Sequence, residues 1–155
     1  MNLYLLRHGL AEERGQAGAA PDAERRLTPK GQRKLGQVAQ GMEALGLSYD
    51  LILSSPYVRA WQTAELVAAA CHARKQLRQC DALMPGGSTK ALIGWLQRYA
   101  PPPEEVLLVG HEPDLSQLIG LLVAGSLRSR AVTLVRAHSS SSTTRTCSGA
   151  IHASL

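Results

Sequence analysis

Three short apolar runs constrain this chain more than any other feature: Leu3-Tyr4-Leu5-Leu6, Leu51-Ile52-Leu53 and Val106-Leu107-Leu108-Val109. None alternates with polar residues, and each is of strand length. A strand that is apolar on both faces must be covered on both, which is the condition of a parallel sheet flanked by helices. A helix-compatible stretch follows each run. Thr28 and Pro29 suit a cap and first position, with apolar residues at Leu35, Val38, Ala39, Met42 and Leu45 before a terminating Gly46. Residues 57–71 present Ala60, Ala64, Val67, Ala68 and Cys71 on one face, and residues 114–123 present Leu115, Leu118, Ile119 and Leu122. A weaker strand is expected near 76–79, and Ser88 can cap a helix bearing Leu92, Ile93 and Leu96 that Pro101-Pro102-Pro103 stops. Strand-helix units thus alternate three or four times. The expected fold is a three-layer α/β/α sandwich with a largely parallel central sheet.

At 155 residues and 45% hydrophobic, residues 1–125 suffice for one such domain. Residues 126–155 differ in kind. They hold four arginines, no lysine and no acid, and include the run Ser139 to Ser142. Only Ala131-Val132-Thr133-Leu134-Val135 reads as a strand, and the remainder has the composition of a disordered or frame-shifted end. The tail also accounts for most of the net charge of +5, leaving 13 basic against 12 acidic side chains in residues 1–125. A body so nearly neutral, without a basic stripe interleaved with aromatics, argues against a nucleic-acid partner. No apolar run approaches the ~20 residues of a membrane span. Three cysteines without C-x-x-C spacing (Cys71, Cys80, Cys147) suit reduced thiols, and the expected location is cytoplasmic.

In a parallel sheet, ligands gather at the carboxyl ends of the strands. Those ends carry Arg7-His8 after the first run, Arg59 just beyond the second, and His111 after the third. Residues 11–26 read as a long loop over the same edge. Two arginines and two histidines converging there describe a pocket for a compact, doubly charged anion, because the guanidinium fork donates hydrogen bonds in pairs. One histidine can attack phosphorus if a backbone carbonyl holds its other ring nitrogen and fixes the tautomer. Fixed cations can then neutralise the transferring group. A metal hydrolase using His8 and His111 is the rival enzyme class, and two adjacent arginines weigh against it by repelling a divalent cation.

Leu6-Arg7-His8-Gly9, Ser54-Ser55-Pro56-Tyr57-x-Arg59-Ala60-x-Gln62-Thr63-Ala64 and Val109-Gly110-His111-Glu112-Pro113 resemble the motifs of the histidine phosphatase (phosphoglycerate mutase-like) superfamily. Leu27-Thr28-Pro29-Lys30-Gly31 and Met84-Pro85-Gly86-Gly87 are most similar to its small SixA-type phosphohistidine phosphatase branch. The resemblance implies that His8 is the phosphorylated nucleophile, that Arg7, Arg59 and His111 bind phosphate, and that no metal or organic cofactor takes part. The implied partner is a phosphohistidine protein or a small phosphate ester. Larger relatives place a glutamate acid between the second and third motifs. Here the carboxylates of that stretch are Glu65, Asp81, Glu104 and Glu105, and Asp81 is the candidate acid because it precedes a loop. Without a strong acid, a labile P–N bond is an easier target than an ester, for which general acid help is worth roughly 10²–10⁴-fold. A small-molecule phosphomonoesterase and a catalytically impaired phospho-binding module remain as alternatives.

Overall fold

The structure, a computed structural model, describes residues 1–15, 20–123, 131–135 and 150–151. Its strands are β1 (Asn2–Arg7), β2 (Leu51–Ser54), β3 (Leu77–Gln79), β4 (Glu105–Gly110), β5 (Ala131–Val135) and β6 (Ala150–Ile151). Its helices are α1 (Pro29–Ala44), α2 (Val58–Ala70), α3 (Thr89–Arg98) and α4 (Asp114–Val123). The strands form one sheet in the order β3-β2-β4-β1-β5-β6, in which only β6 runs antiparallel to its neighbour. The expected α/β/α architecture is the one observed. Strand 131–135 lies beside β1; the rest of the tail, apart from the two residues of β6, falls outside the described residues.

The apolar runs divide their side chains between two cores. Leu3, Leu5, Leu51, Leu53, Val106 and Leu108 pack with α3 and α4 through Leu92, Leu96, Leu115 and Leu118. Leu6, Ile52, Leu107 and Val109 point the other way, against Ala39 and Met42 of α1 and Ala60, Ala64 and Val67 of α2. Alternation along a strand sends neighbours to opposite faces, so runs without polar residues were needed to fill both. On α2 the inner face is mostly alanine, which lets the helix lie close to the sheet.

Local chemistry sets the helix ends. Thr28 Oγ1 accepts the Gly31 N–H at 3.0 Å, and Pro29 opens α1. At the other end Gly46 takes φ +70°, its N–H donates to the Glu43 carbonyl, and the Leu47 N–H donates to Met42. These two bonds make a Schellman motif, which a left-handed glycine permits without strain.

The strand order explains where a site can open. Steps from β1 to β2 and β2 to β3 move toward one edge and use α1 and α2; steps from β3 to β4 and β4 to β5 move back and use α3 and α4. Crossovers of a single hand require this change of layer when the direction reverses. The adjacent strands β1 and β4 therefore send their chains to opposite layers, leaving a crevice between their carboxyl ends. Leu108 sits in β4 beside that crevice, wholly buried and paired in register with Leu5 and Leu53. Leu108→Ala should cost about 2–5 kcal/mol of stability, seen as a lower urea midpoint at unchanged m-value.

Candidate active site

His8 is the first residue beyond β1, and its backbone N–H donates to the Gly110 carbonyl at the end of β4 (3.2 Å). Its Nδ1 lies 2.8 Å from the carbonyl oxygen of Gly9. Since a carbonyl only accepts, Nδ1 carries the proton of the neutral ring. The other nitrogen, Nε2, is left with a lone pair, and the Nε–H of Arg59 donates to it at 3.2 Å. Gly9 is itself held: its N–H donates to Thr63 Oγ1 (3.1 Å), and the same hydroxyl donates to the Arg59 carbonyl (2.7 Å). One buried threonine thus ties the loop after β1 to the first turns of α2.

Arg59 is 1% exposed and lies with its guanidinium carbon 5.0 Å from the centre of the Tyr57 ring. While its Nε faces His8, Nη2 meets Asp22 Oδ2 at 3.1 Å and Nη1 donates to the Asp22 backbone carbonyl. Asp22 Oδ1 also pairs with Arg25 Nη2 and Arg14 Nε, each at 2.8 Å. Burial works against the charge of this carboxylate, but the bond from Arg25 and the charge of Arg59 outweigh it and hold the group below its ordinary range.

His111 follows β4 and is 3% exposed. Its ring centre is 5.0 Å from that of His8 and 5.3 Å from that of Tyr57. Its Nε2 is 2.9 Å from Ser55 Oγ, which already accepts the Tyr57 N–H. The Ser55 hydroxyl, with one donor and two acceptor sites, therefore fixes the orientation of the His111 ring through Nε2. Its Nδ1 is buried with no hydrogen-bond partner among the described residues. Burial first, then the Arg59 and Arg7 cations, lower the His8 pKa to about 4 against the opposing pull of the Gly9 carbonyl. Burial, then His8 and Arg59, lower that of His111 to about 3. Both rings are neutral at physiological pH.

A cavity of about 450 Å³ opens over these groups. Its wall includes Arg7, His8, Arg59 and His111, the four residues singled out from sequence, together with Arg14, Arg25, Lys30 and Lys34. Glu112 is the one acid in this wall, and its Oε2 accepts from the Ser116 hydroxyl at 2.7 Å. Six cations against one carboxylate make an anion site. Asp81, the acid expected from sequence, is not in the wall. It is exposed at the start of a 3₁₀ turn that directs Leu83 into the core and brings only Pro85 to the cavity. Asp22 and Arg25 carry no signal in the sequence, whereas Thr63 belongs to the 54–64 motif and lies four residues after Arg59, on the same helix face. Among the described residues no group of three or more His, Cys, Asp or Glu side chains could hold a metal ion, and no helix is long and apolar enough to cross a membrane.

The family model described as histidine phosphatase superfamily (branch 1) matches residues 3–85. The chain belongs to this superfamily. Among curated relatives, it is 45% identical over 118 residues to an uncharacterised protein of Picosynechococcus sp., covering 76% of this chain and 70% of that one. It is 31% identical over 98 residues to a Cronobacter sakazakii protein named Probable phosphoglycerate mutase GpmB, covering 63% of this chain but only 41% of the relative. Among solved structures, the protein histidine phosphatase SixA complexed with tungstate superposes with TM-score 0.69 at 27% identity, covering 76% of this chain and 74% of SixA. Membership of the histidine phosphatase superfamily implies phosphatase- or mutase-type enzyme chemistry.

Two measurements probe this superfamily site. Both histidines bind protons less readily folded than in the unfolded chain, where the pKa is near 6.5. Their contribution to stability is therefore complete above that value and is lost as pH falls toward about 4 for His8 and about 3 for His111. Urea unfolding should accordingly show lower stability at pH 5 than at pH 7, and His8→Asn should flatten the difference. In Thr63→Val the buried Gly9 N–H loses its acceptor, at a cost of about 1–3 kcal/mol in the same assay.

Proposed function

We propose that the protein is a phosphatase acting through a phosphohistidine intermediate on His8, with phosphohistidine in proteins as its substrate. The observation that carries this reading is the pinned tautomer of His8. The Gly9 carbonyl accepts a hydrogen bond from Nδ1–H and burial keeps the ring neutral, so Nε2 offers its lone pair without first losing a proton. In the free protein the Arg59 Nε–H covers that lone pair. An incoming phosphoryl oxygen takes this N–H and uncovers the nucleophile. Arg7, Arg59 and His111 then balance the charge spread over the phosphoryl oxygens. Nε2 forms a bond to phosphorus as the substrate P–N bond breaks, and the substrate imidazole, already protonated on its other ring nitrogen, departs as a neutral ring. Water then attacks phospho-His8, releasing inorganic phosphate and restoring Nε2.

The acid inventory supports a phosphoramidate. Asp22 is held anionic by its arginines and Asp81 stands outside the cavity wall. A protonated imidazole needs little help in leaving, whereas an alkoxide needs a donor. Glu112 favours a second reading, a small-molecule phosphomonoesterase, because it alone brings a carboxyl group to the wall. The free thiols Cys71 and Cys80 support a cytoplasmic setting for either activity.

Incubation with a radiolabelled phosphohistidine protein, phosphoserine peptide and sugar phosphate separates the readings. The expected result is an acid-labile label trapped on the wild type, absent from His8→Asn, with fastest turnover of the phosphohistidine protein and no loss in chelator. Faster turnover of the esters, slowed roughly 10²-fold or more by Glu112→Gln, would install the second reading. Absence of label with every substrate would leave only a phospho-binding module.

A further inference from the structure

The cavity holds more positive charge than one phosphoryl group uses, and the surplus is not spread evenly. Arg14, Arg25 and Arg59 share the carboxylate of Asp22. Lys30 and Lys34 have no ion-pair or hydrogen-bond partner among the described residues, yet both line the cavity with His8 and Arg59. They are one helical turn apart at the start of α1, so they share a face.

Their seat is firm. Gly31 lies between them and is buried; a Cβ there would come within 2.2 Å of the Leu10 carbonyl oxygen. That carbonyl also accepts the Thr28 N–H at 2.9 Å. The start of α1 is therefore clamped to the loop that leaves His8, which fixes the backbone from which the two lysines extend relative to His8. The space fits as well: about 450 Å³ is within the range of roughly 300–1,000 Å³ that accommodates a small-molecule ligand rather than a single oxyanion. Lysine, a point charge on a flexible stem, suits an anion of variable position better than a fixed fork would.

We propose that Lys30 and Lys34 form a subsite for a second anionic group of the substrate, beside the group attacked by His8. The inference deepens the phosphatase reading and rests on it for the identity of the first anion. The second anion is a carboxylate or phosphate, supplied either by acidic residues flanking a phosphohistidine or by another phosphate on a small molecule. It binds by charge-assisted hydrogen bonds to the ammonium groups, and its loss is felt in KM.

The test has a binding arm and a turnover arm, both comparing wild type with the Lys30→Gln/Lys34→Gln double variant after its fold is verified by circular dichroism. In calorimetry with orthophosphate, pyrophosphate and tripolyphosphate, at least one condensed phosphate should bind the wild type about tenfold more tightly than orthophosphate, and the double variant should lose most of that preference. In turnover, matched pairs are compared: phosphohistidine peptides with acidic or neutral flanks, and sugar bisphosphate with monophosphate. One pair should show about a tenfold preference for the added anion, through KM, that the double variant lacks; which pair does so names the source. A wild type indifferent to the second anion in both arms, or a double variant that keeps the preference, overturns the subsite. Selective binding of condensed phosphates by a protein that turns over nothing would keep the subsite and overturn the phosphatase reading.

Discussion

The bond from His8 Nδ1 to the Gly9 carbonyl is the contact on which the rest of the site depends. It decides which ring nitrogen has the proton, and with it which nitrogen can form a bond. It is also a local bond between neighbours in sequence, so geometry alone would let the loop swing away with its own ring. Thr63 prevents that: its Oγ1 accepts a hydrogen bond from the Gly9 N–H and donates one to the Arg59 carbonyl. His8 and Arg59 are consequently indexed to each other through a single hydroxyl, and both are indexed to β4 by the bond from the His8 N–H to Gly110.

Around this relay the electrostatics are unbalanced in a controlled way. Burial would normally make a guanidinium as deep as Arg59 costly, and Asp22 offsets that cost from the loop side. Asp22 therefore occupies part of the fork that a phosphoryl group would use, while its pairs with Arg14 and Arg25 stop those side chains from collapsing into the cavity. Neutral histidines are the complement of this arrangement. Among so many cations, an imidazole that does not take up a proton is the group best able to approach another molecule's charge.

The layered fold and the four inner residues could be read from sequence because they lie at the ends of runs whose burial on both faces leaves no polar alternation. Arg7, His8, Arg59 and His111 each sit within a few residues of such an end, and parallel strands bring those ends to one edge. The loop contributions were not legible for the converse reason. Asp22 meets Arg59 across 37 residues from a segment without periodicity, and nothing local marks it as a partner. Lys30 enters the sequence reading only within the Leu27–Gly31 motif and Lys34 not at all, since the apolar pattern shows which face of α1 is polar but not what that face adjoins. Asp81 is the expected acid because it precedes a loop between the two motifs, but it is exposed at the start of a 3₁₀ turn whose Leu83 is buried, and it lies outside the wall. Strand 131–135 was visible as an apolar run, but its pairing with β1 is a long-range event that composition does not encode.

The adjacency of β1 and β4 has a consequence for how the protein comes into being. Asn2 pairs with Glu105 and Arg7 with Gly110, so the two halves of the cavity are synthesised roughly a hundred residues apart. At a ribosome that adds about 5–20 residues per second, the N-terminal half waits seconds for its partner strand. Pairings of this span are slow to close because the intervening loop entropy must be met first. No shorter fragment carries both histidines. The cavity cannot be assembled before most of the sheet is, which ties its formation to completion of the core.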